Sequence, residues 1–175
     1  MIAAKYAHSD QEARWFALKV RSCHENTASL ALKSRGFTEF MPTCSVRRRW
    51  SDRFKDIDVP LFPGYVFCRF NPKNKLPVLN LPGVTGVVSF GQGPHPLDES
   101  EIDRIRTLVE SGLPVQPWPY LHVGERVRIG SGALSGLEGV LVQVKNEFRL
   151  VVSLNLLQRS VAVEVDSDRV HSISD

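Results

Sequence analysis

Val127-Arg128-Ile129-Gly130-Ser131-Gly132-Ala133-Leu134-Ser135-Gly136-Leu137-Glu138-Gly139-Val140 consists of two β-type runs around a loop with glycines at 132, 136 and 139. A chain that turns so tightly needs residues without a Cβ, because positive φ and close backbone approach are cheap only for glycine. Downstream, Val140-Leu141-Val142-Gln143-Val144, Arg149-Leu150-Val151-Val152-Ser153 and Ser160-Val161-Ala162-Val163-Glu164-Val165 keep a strand composition. Four or five short strands within about fifty residues predict a small closed β-barrel.

Upstream, Gly112-Leu113-Pro114-Val115-Gln116-Pro117-Trp118-Pro119-Tyr120 places three prolines in six positions. Such spacing blocks helix and sheet ladder alike and favours extended chain. It reads as a linker over residues 113–120, between a first domain at 12–112 and a second at 121–175. In the first domain, Trp15 to Val20 is a strand candidate. Ser22-Cys23-His24-Glu25 has the form of a capping box opening a helix over about 24–35, with Gly36 at its stop. Phe37 to Trp50 and Arg53 to Leu61 read as extended arms, and Gly64 to Phe70 as a buried strand. A helical turn is expected at 75–80 and a strand at Val84 to Phe90. A second helix follows, capped by Asp98 with Glu101 three residues on, buried through Ile102, Ile105, Leu108 and Val109 and ended by Gly112. The order predicts an α+β fold, an antiparallel-rich sheet with helices packed on it.

The 175 residues are 42% hydrophobic and 23% charged, ordinary for a folded soluble protein. No apolar run approaches the ~20 residues that span a bilayer. Met1 to Arg14, broken by Lys5, His8, Asp10 and Glu12, lacks a signal-peptide core, so a cytoplasmic protein without membrane association is expected. Cys23, Cys44 and Cys68 are odd in number and widely spaced, which fits a reducing compartment. No ligand spacing supports a metal site. The net charge of +3 divides into +4 over residues 1–117 and −1 over 118–175, so a polyanion is to be sought in the first domain.

Arg47-Arg48-Arg49-Trp50-Ser51-Asp52-Arg53-Phe54-Lys55 interleaves five cations with two aromatics. Guanidinium groups can hold a phosphate backbone while rings stack on unpaired bases, so Arg47, Arg48, Arg49, Trp50, Arg53 and Lys55 are nucleic-acid candidates. The same cluster reads equally as a solvated hairpin tip. In Leu61-Phe62-Pro63-Gly64-Tyr65-Val66-Phe67, Tyr65 and Phe67 share one strand face, to be either core or an apolar patch for a partner helix. Ser51-Asp52, His95 and the carboxylates from Asp98 to Asp103 form no nucleophile–base arrangement, and Gly91-Gln92-Gly93-Pro94 lacks a phosphate-loop lysine. Neither an enzyme nor a cofactor is expected.

The glycine-punctuated stretch resembles the KOW motif of transcription and translation proteins. Trp15-Phe16-Ala17-Leu18-Lys19-Val20, the helix with Glu25, Phe62-Pro63-Gly64-Tyr65-Val66-Phe67 and Pro82-Gly83-Val84-Thr85-Gly86-Val87-Val88-Ser89-Phe90-Gly91 are similar, in order and spacing, to the amino-terminal (NGN) domain of the NusG family. The resemblance covers nearly all of the chain from Trp15. It implies an NGN α/β sandwich followed by an SH3-like KOW barrel, and a non-enzymatic elongation factor. The NGN domain would bind the β′ clamp helices of RNA polymerase, through Phe62, Tyr65, Phe67 and Val84 here. The basic hairpin would lie near upstream DNA, touching the non-template strand or nascent RNA.

The arginine cluster with Trp50 and Leu61-Phe62-Pro63-Gly64-Tyr65, and Leu156-Leu157-Gln158-Arg159-Ser160-Val161, look most like the specialised RfaH and UpxY paralogs, antiterminators on particular operons. In housekeeping NusG a loop reading Ile-Phe-Gly-Arg serves ribosomal protein S10 and the termination factor Rho. Here Leu154-Asn155-Leu156-Leu157-Gln158-Arg159-Ser160 is about two residues longer and lacks the Phe-Gly pair. Rho binding is therefore not expected and S10 binding stays open, with Leu154, Leu156, Leu157 and Arg159 as the candidate partner surface, Leu156 and Leu157 reading equally as residues that only close the barrel. The refolding of this domain from helix to barrel known in some RfaH-type proteins is not expected, because its valines and glycines favour strand. A general NusG acting with Rho, and a ribosome-associated RNA-binding KOW protein, are the alternatives.

Overall fold

The computed structural model describes residues 12–51, 53–91, 93–118, 124–144 and 147–173. Asp52, Gln92, Pro119 and Tyr120 of the motifs above, and the segment before Glu12, lie outside them. Along the chain run β1 (Arg14–Val20), α1 (Glu25–Ser34), β2 (Thr38–Phe40), β3 (Thr43–Arg49), β4 (Phe54–Pro60), β5 (Tyr65–Phe70), α2 (Leu76–Leu79) and β6 (Val84–Val87). There follow β7 (Ser89–Phe90), β8 (Gly93–Pro94), α3 (Glu99–Glu110), β9 (Val115–Trp118), β10 (Glu125–Ile129), β11 (Glu138–Val144), β12 (Glu147–Leu154), β13 (Arg159–Val165) and β14 (Val170–Ser172). They group into two compact units, Met1–Met41 with Phe62–Glu99, and Pro42–Leu61 with Ser100–Asp175.

The first unit is built on an antiparallel sheet in the order β2-β5-β1-β6. Trp15, Phe16, Ala17 and Leu18 are buried in succession along β1, so both sheet faces are covered. One face presents Phe16, Leu18, Val20, Val66, Cys68 and Phe70 to Ala28 and Leu32 of α1. Apolar side chains at helical spacing on α1 meet alternate side chains on β1 and β5 there. Gly36, at φ +79°, ends the helix, with the Gly36 amide donating to the Lys33 carbonyl and Phe37 to Leu32. The capping box expected at Ser22 does not form. His24 occupies the N-cap without a side-chain bond to the helix, and the Glu25 carboxylate accepts instead from the Gly64 amide at 2.9 Å. The strand expected from Val84 to Phe90 is broken at Val88, whose amide donates to Ala17.

In the second unit β3 and β4 form a hairpin and six strands form an antiparallel sheet in the order β14-β10-β11-β12-β13-β9. Val127, Ile129, Leu150, Val152, Leu154, Val161 and Val163 are among its buried residues. Ile102, Ile105 and Leu108 of α3 are fully buried, as their spacing predicts, and Val109 is half-buried. The prolines do not keep Val115–Trp118 out of a ladder. Val115–Trp118 pairs with β13, Pro117 standing opposite Val161. An edge strand tolerates proline because only one side of it donates to a neighbour.

Candidate functional site

The β3–β4 hairpin carries the basic cluster, and its register sorts that cluster into two faces. Arg47 stands opposite Asp56, Arg48 opposite Lys55, Arg49 opposite Phe54 and Ser45 opposite Asp58. Trp50 and Arg53 exchange backbone hydrogen bonds, which extends the pairing of the two strands beyond Arg49 and Phe54. Because side chains alternate along each strand, Arg48, Trp50, Arg53 and Lys55 share one face, three cations and an indole with no carboxylate among them. The other face carries Arg47 and Arg49 with Phe54, Asp56 and Asp58, Arg47 alone standing opposite a carboxylate, and the Arg47 guanidinium lies 5.2 Å from the centroid of the Phe54 ring. All six predicted nucleic-acid residues are exposed. Trp50 is 58% and Phe54 60% exposed, so neither ring is held by a core. Nearer the base, Val46, Ile57, Cys44 and Val59 continue the Arg48 face. Burial, then the Asp58 charge, pushes the Cys44 thiol up.

The four residues chosen for a polymerase surface do not form one exposed patch. Phe62 and Phe67 are buried against each other, ring centroids 5.5 Å apart, and Phe40 packs on Phe67 at 6.2 Å. Tyr65 and Val84 are half-buried, and Val84 packs on the core beneath α1. Val66 and Cys68 also face that core, so alternation puts Tyr65 and Phe67 on the opposite face of the sheet from Val84. The accessible part of the predicted set on that face is Tyr65, whose register partner on β1 is the exposed Lys19. The family resemblance drew the four from two motifs; the strand bulge between Lys19 and Val20 and the pleat set them on different faces.

At the tip joining β12 to β13, Leu154 is fully buried and belongs to the core rather than to a partner surface. Leu156 and Leu157 are half-buried and Arg159 is exposed, around a turn in which Gln158 takes φ +50°. The turn is anchored by Glu101 of α3, buried to 4% exposure, whose Oε1 accepts from the Asn155 amide at 3.3 Å and from Asn155 Nδ2 at 2.9 Å. No local pattern marks this pair, because its partners lie 54 positions apart. A cavity of about 480 Å³ in the same unit is lined in part by Leu113, Leu134, Arg149, Glu164 and Arg169. Arg149 pairs with Glu147 and Arg169 with Asp166, so it favours no ionic class of ligand. Among the described residues no cluster of His, Cys, Asp and Glu could hold a metal ion, and no helix is long and apolar enough to cross a membrane.

The described residues thus combine an α+β sheet unit, an exposed basic hairpin and a glycine-turned β-sheet. Comparison with known proteins makes this specific. Residues 13–106 match the NusG family model, described as transcription termination factor nusG. The chain is 34% identical over 139 residues to the transcription termination/antitermination protein NusG of Lactococcus lactis subsp. lactis, covering 76% of this chain and 74% of that protein. It is 31% identical over 176 residues to the protein of the same description from Staphylococcus aureus (strain COL), covering 91% and 96%. A solved structure described as "Domain interaction in Thermotoga maritima NusG" superposes with a TM-score of 0.55 at 23% identity, over 95% of this chain and all of that one. The chain belongs to the NusG family, whose members are non-enzymatic transcription factors.

Proposed function

We propose that this chain is an elongation factor and antiterminator that binds RNA polymerase and suppresses pausing and termination on particular operons. The observation that carries the reading is the exposed hairpin face of Arg48, Trp50, Arg53 and Lys55. A solvent-facing indole among exposed cations adds nothing to a core, whereas stacking on an unpaired base and neutralising phosphates uses every member of the set. The proposed polymerase contact is the sheet face at Tyr65 and Lys19, with Phe62 and Phe67 as the packed wall behind it. The clamp helices of the β′ subunit are the proposed partner there, and the non-template strand or nascent RNA the proposed partner of the hairpin. Such a factor acts by population shift: preferring the unpaused complex by ~1.4 kcal/mol changes its ratio tenfold.

The relatives' descriptions name both termination and antitermination, which keeps the general, Rho-assisting factor as the second reading. The β12–β13 tip, with Leu156 and Leu157 in place of a Phe-Gly pair, favours the specialised one and leaves ribosomal protein S10 as an open partner of Leu156, Leu157 and Arg159. Transcription in vitro across a Rho-dependent terminator separates them: read-through supports the specialised factor, added termination the general one. A pull-down on polymerase that captures nothing, with the chain folded, would sink both.

A further inference from the structure

Two Pro-Gly turns meet one short segment of the first unit. In Phe62-Pro63-Gly64-Tyr65 the Tyr65 amide donates to the Phe62 carbonyl at 3.0 Å and Gly64 takes φ +85°. In Leu81-Pro82-Gly83-Val84 the Val84 amide donates to Leu81 at 3.2 Å and Gly83 takes φ +84°. Both have the type II pattern, proline second and glycine third. Consecutive amides at the end of β1 grip them: Val20 donates to the Gly64 carbonyl and Arg21 to the Gly83 carbonyl, each at 2.9 Å. His24 covers Gly83 so closely that a Cβ there would lie 2.9 Å from His24 Cβ. Glu25 completes the grip on the first turn by accepting from the Gly64 amide. The turn leads directly into Tyr65, so whatever holds Gly64 also sets the start of β5 and the direction of that ring.

We infer that Glu25 is a positioning residue for partner binding: its carboxylate holds the Pro63–Gly64 turn and thereby fixes Tyr65 on the surface offered to polymerase. The inference rests on the polymerase reading above. The competing role for Glu25 is a negative charge in the first turn of α1, favourable beside the helix N-terminus. Two conservative variants separate the roles. Glu25→Gln keeps an acceptor oxygen at the same reach and removes the charge. Glu25→Asp keeps the charge and draws the carboxylate back by about 1.5 Å, out of reach of the Gly64 amide.

The test uses the full chain and bacterial core RNA polymerase as the probe. Amide exchange at Gly64, followed by NMR, is expected to quicken roughly tenfold in Glu25→Asp and to stay near the wild-type rate in Glu25→Gln, since only the former orphans the donor. Polymerase affinity is expected to fall about tenfold in Glu25→Asp alone, and not to fall further when Glu25→Asp is added to Tyr65→Ala, the sign of two residues acting through one contact. Equal exchange in the two variants, a larger effect in Glu25→Gln, or a full additional loss on the Tyr65→Ala background overturns the inference. A wild-type chain that fails to bind polymerase overturns the polymerase reading and this use of Tyr65 with it. Binding by the wild type that Glu25→Asp leaves unchanged overturns the positioning role alone.

Discussion

Replacing Gly139 by alanine distinguishes space from backbone conformation as the reason for a glycine. Gly139 lies in β11 opposite Val127, and a Cβ built on it meets the Val151 carbonyl oxygen at 2.6 Å and Leu150 Cδ1 at 3.0 Å. Ordinary contact begins at 3.4 Å, so the methyl sits roughly 0.8 Å inside the repulsive wall of a backbone atom. β12 cannot yield easily, because Leu150, Val151 and Val152 are all buried and β12 is paired on both sides. Overpacking of this kind costs about 1–3 kcal/mol, and a backbone neighbour in a central strand puts Gly139→Ala near the upper end. Gly136 differs: its φ is +82° and a Cβ there meets nothing within 4 Å. Gly136→Ala therefore carries only the left-handed penalty of about 1 kcal/mol. Calorimetry of the full chain is expected to show a Tm lower by roughly 6–12 °C for Gly139→Ala and by roughly 2–4 °C for Gly136→Ala. A Gly139→Ala chain within about 0.5 kcal/mol of wild type, or a reversed order of the two, refutes the reasoning.

At the β12–β13 tip, Leu154→Ala should destabilise by about 2–5 kcal/mol as a core truncation. Leu157→Ala should cost well under half of that and instead weaken capture of S10, if that protein proves a partner; equal costs in urea melts would contradict this division. On the hairpin, Arg48→Ala and Lys55→Ala should each lower the salt slope of single-stranded DNA binding by about 0.7, while Trp50→Ala lowers affinity by about 1–3 kcal/mol with the slope unchanged. Arg47→Ala, on the face shared with Asp56, should change the slope less; filter binding across a salt series reads all four. Burial, then the Glu39 charge, pushes the Cys68 thiol up to about 12. A thiol raised in the folded state stabilises below its unfolded pKa of about 8.5 and loses that contribution as pH rises toward the folded value. Wild-type stability should thus fall more than that of Cys68→Ala between pH 8 and pH 10 or so. At pH 8 or so a thiol reagent should label the exposed Cys23 and spare Cys68 until the chain unfolds.

The elements were legible in the sequence because each is written in a local period. Ile102, Ile105 and Leu108 recur at helical spacing and are buried together, and the alternating valines of residues 161–165 form β13. The glycines at 132 and 136 mark positive φ, as the quoted stretch required. The basic hairpin and its turn were legible too, and so was the family, since ordered motifs survive in sequence. The prolines misled at β9, because a rule against ladder pairing holds for central strands and not for an edge.

What the tertiary structure decided is which side of each motif faces water and which distant groups complete it. The family resemblance implied one surface of Phe62, Tyr65, Phe67 and Val84; pleat, bulge and packing bury two of them and send Val84 to the other face. Sequence read Glu25 as half of a local capping box, yet its carboxylate holds an amide 39 residues away. It read Glu101 as the start of a helix, and that carboxylate holds Asn155. Periodicity encodes how often a residue returns to one face, and the chain carries that locally. The partner across the gap depends on how strands register and turns close, which the sequence determines only through the whole fold.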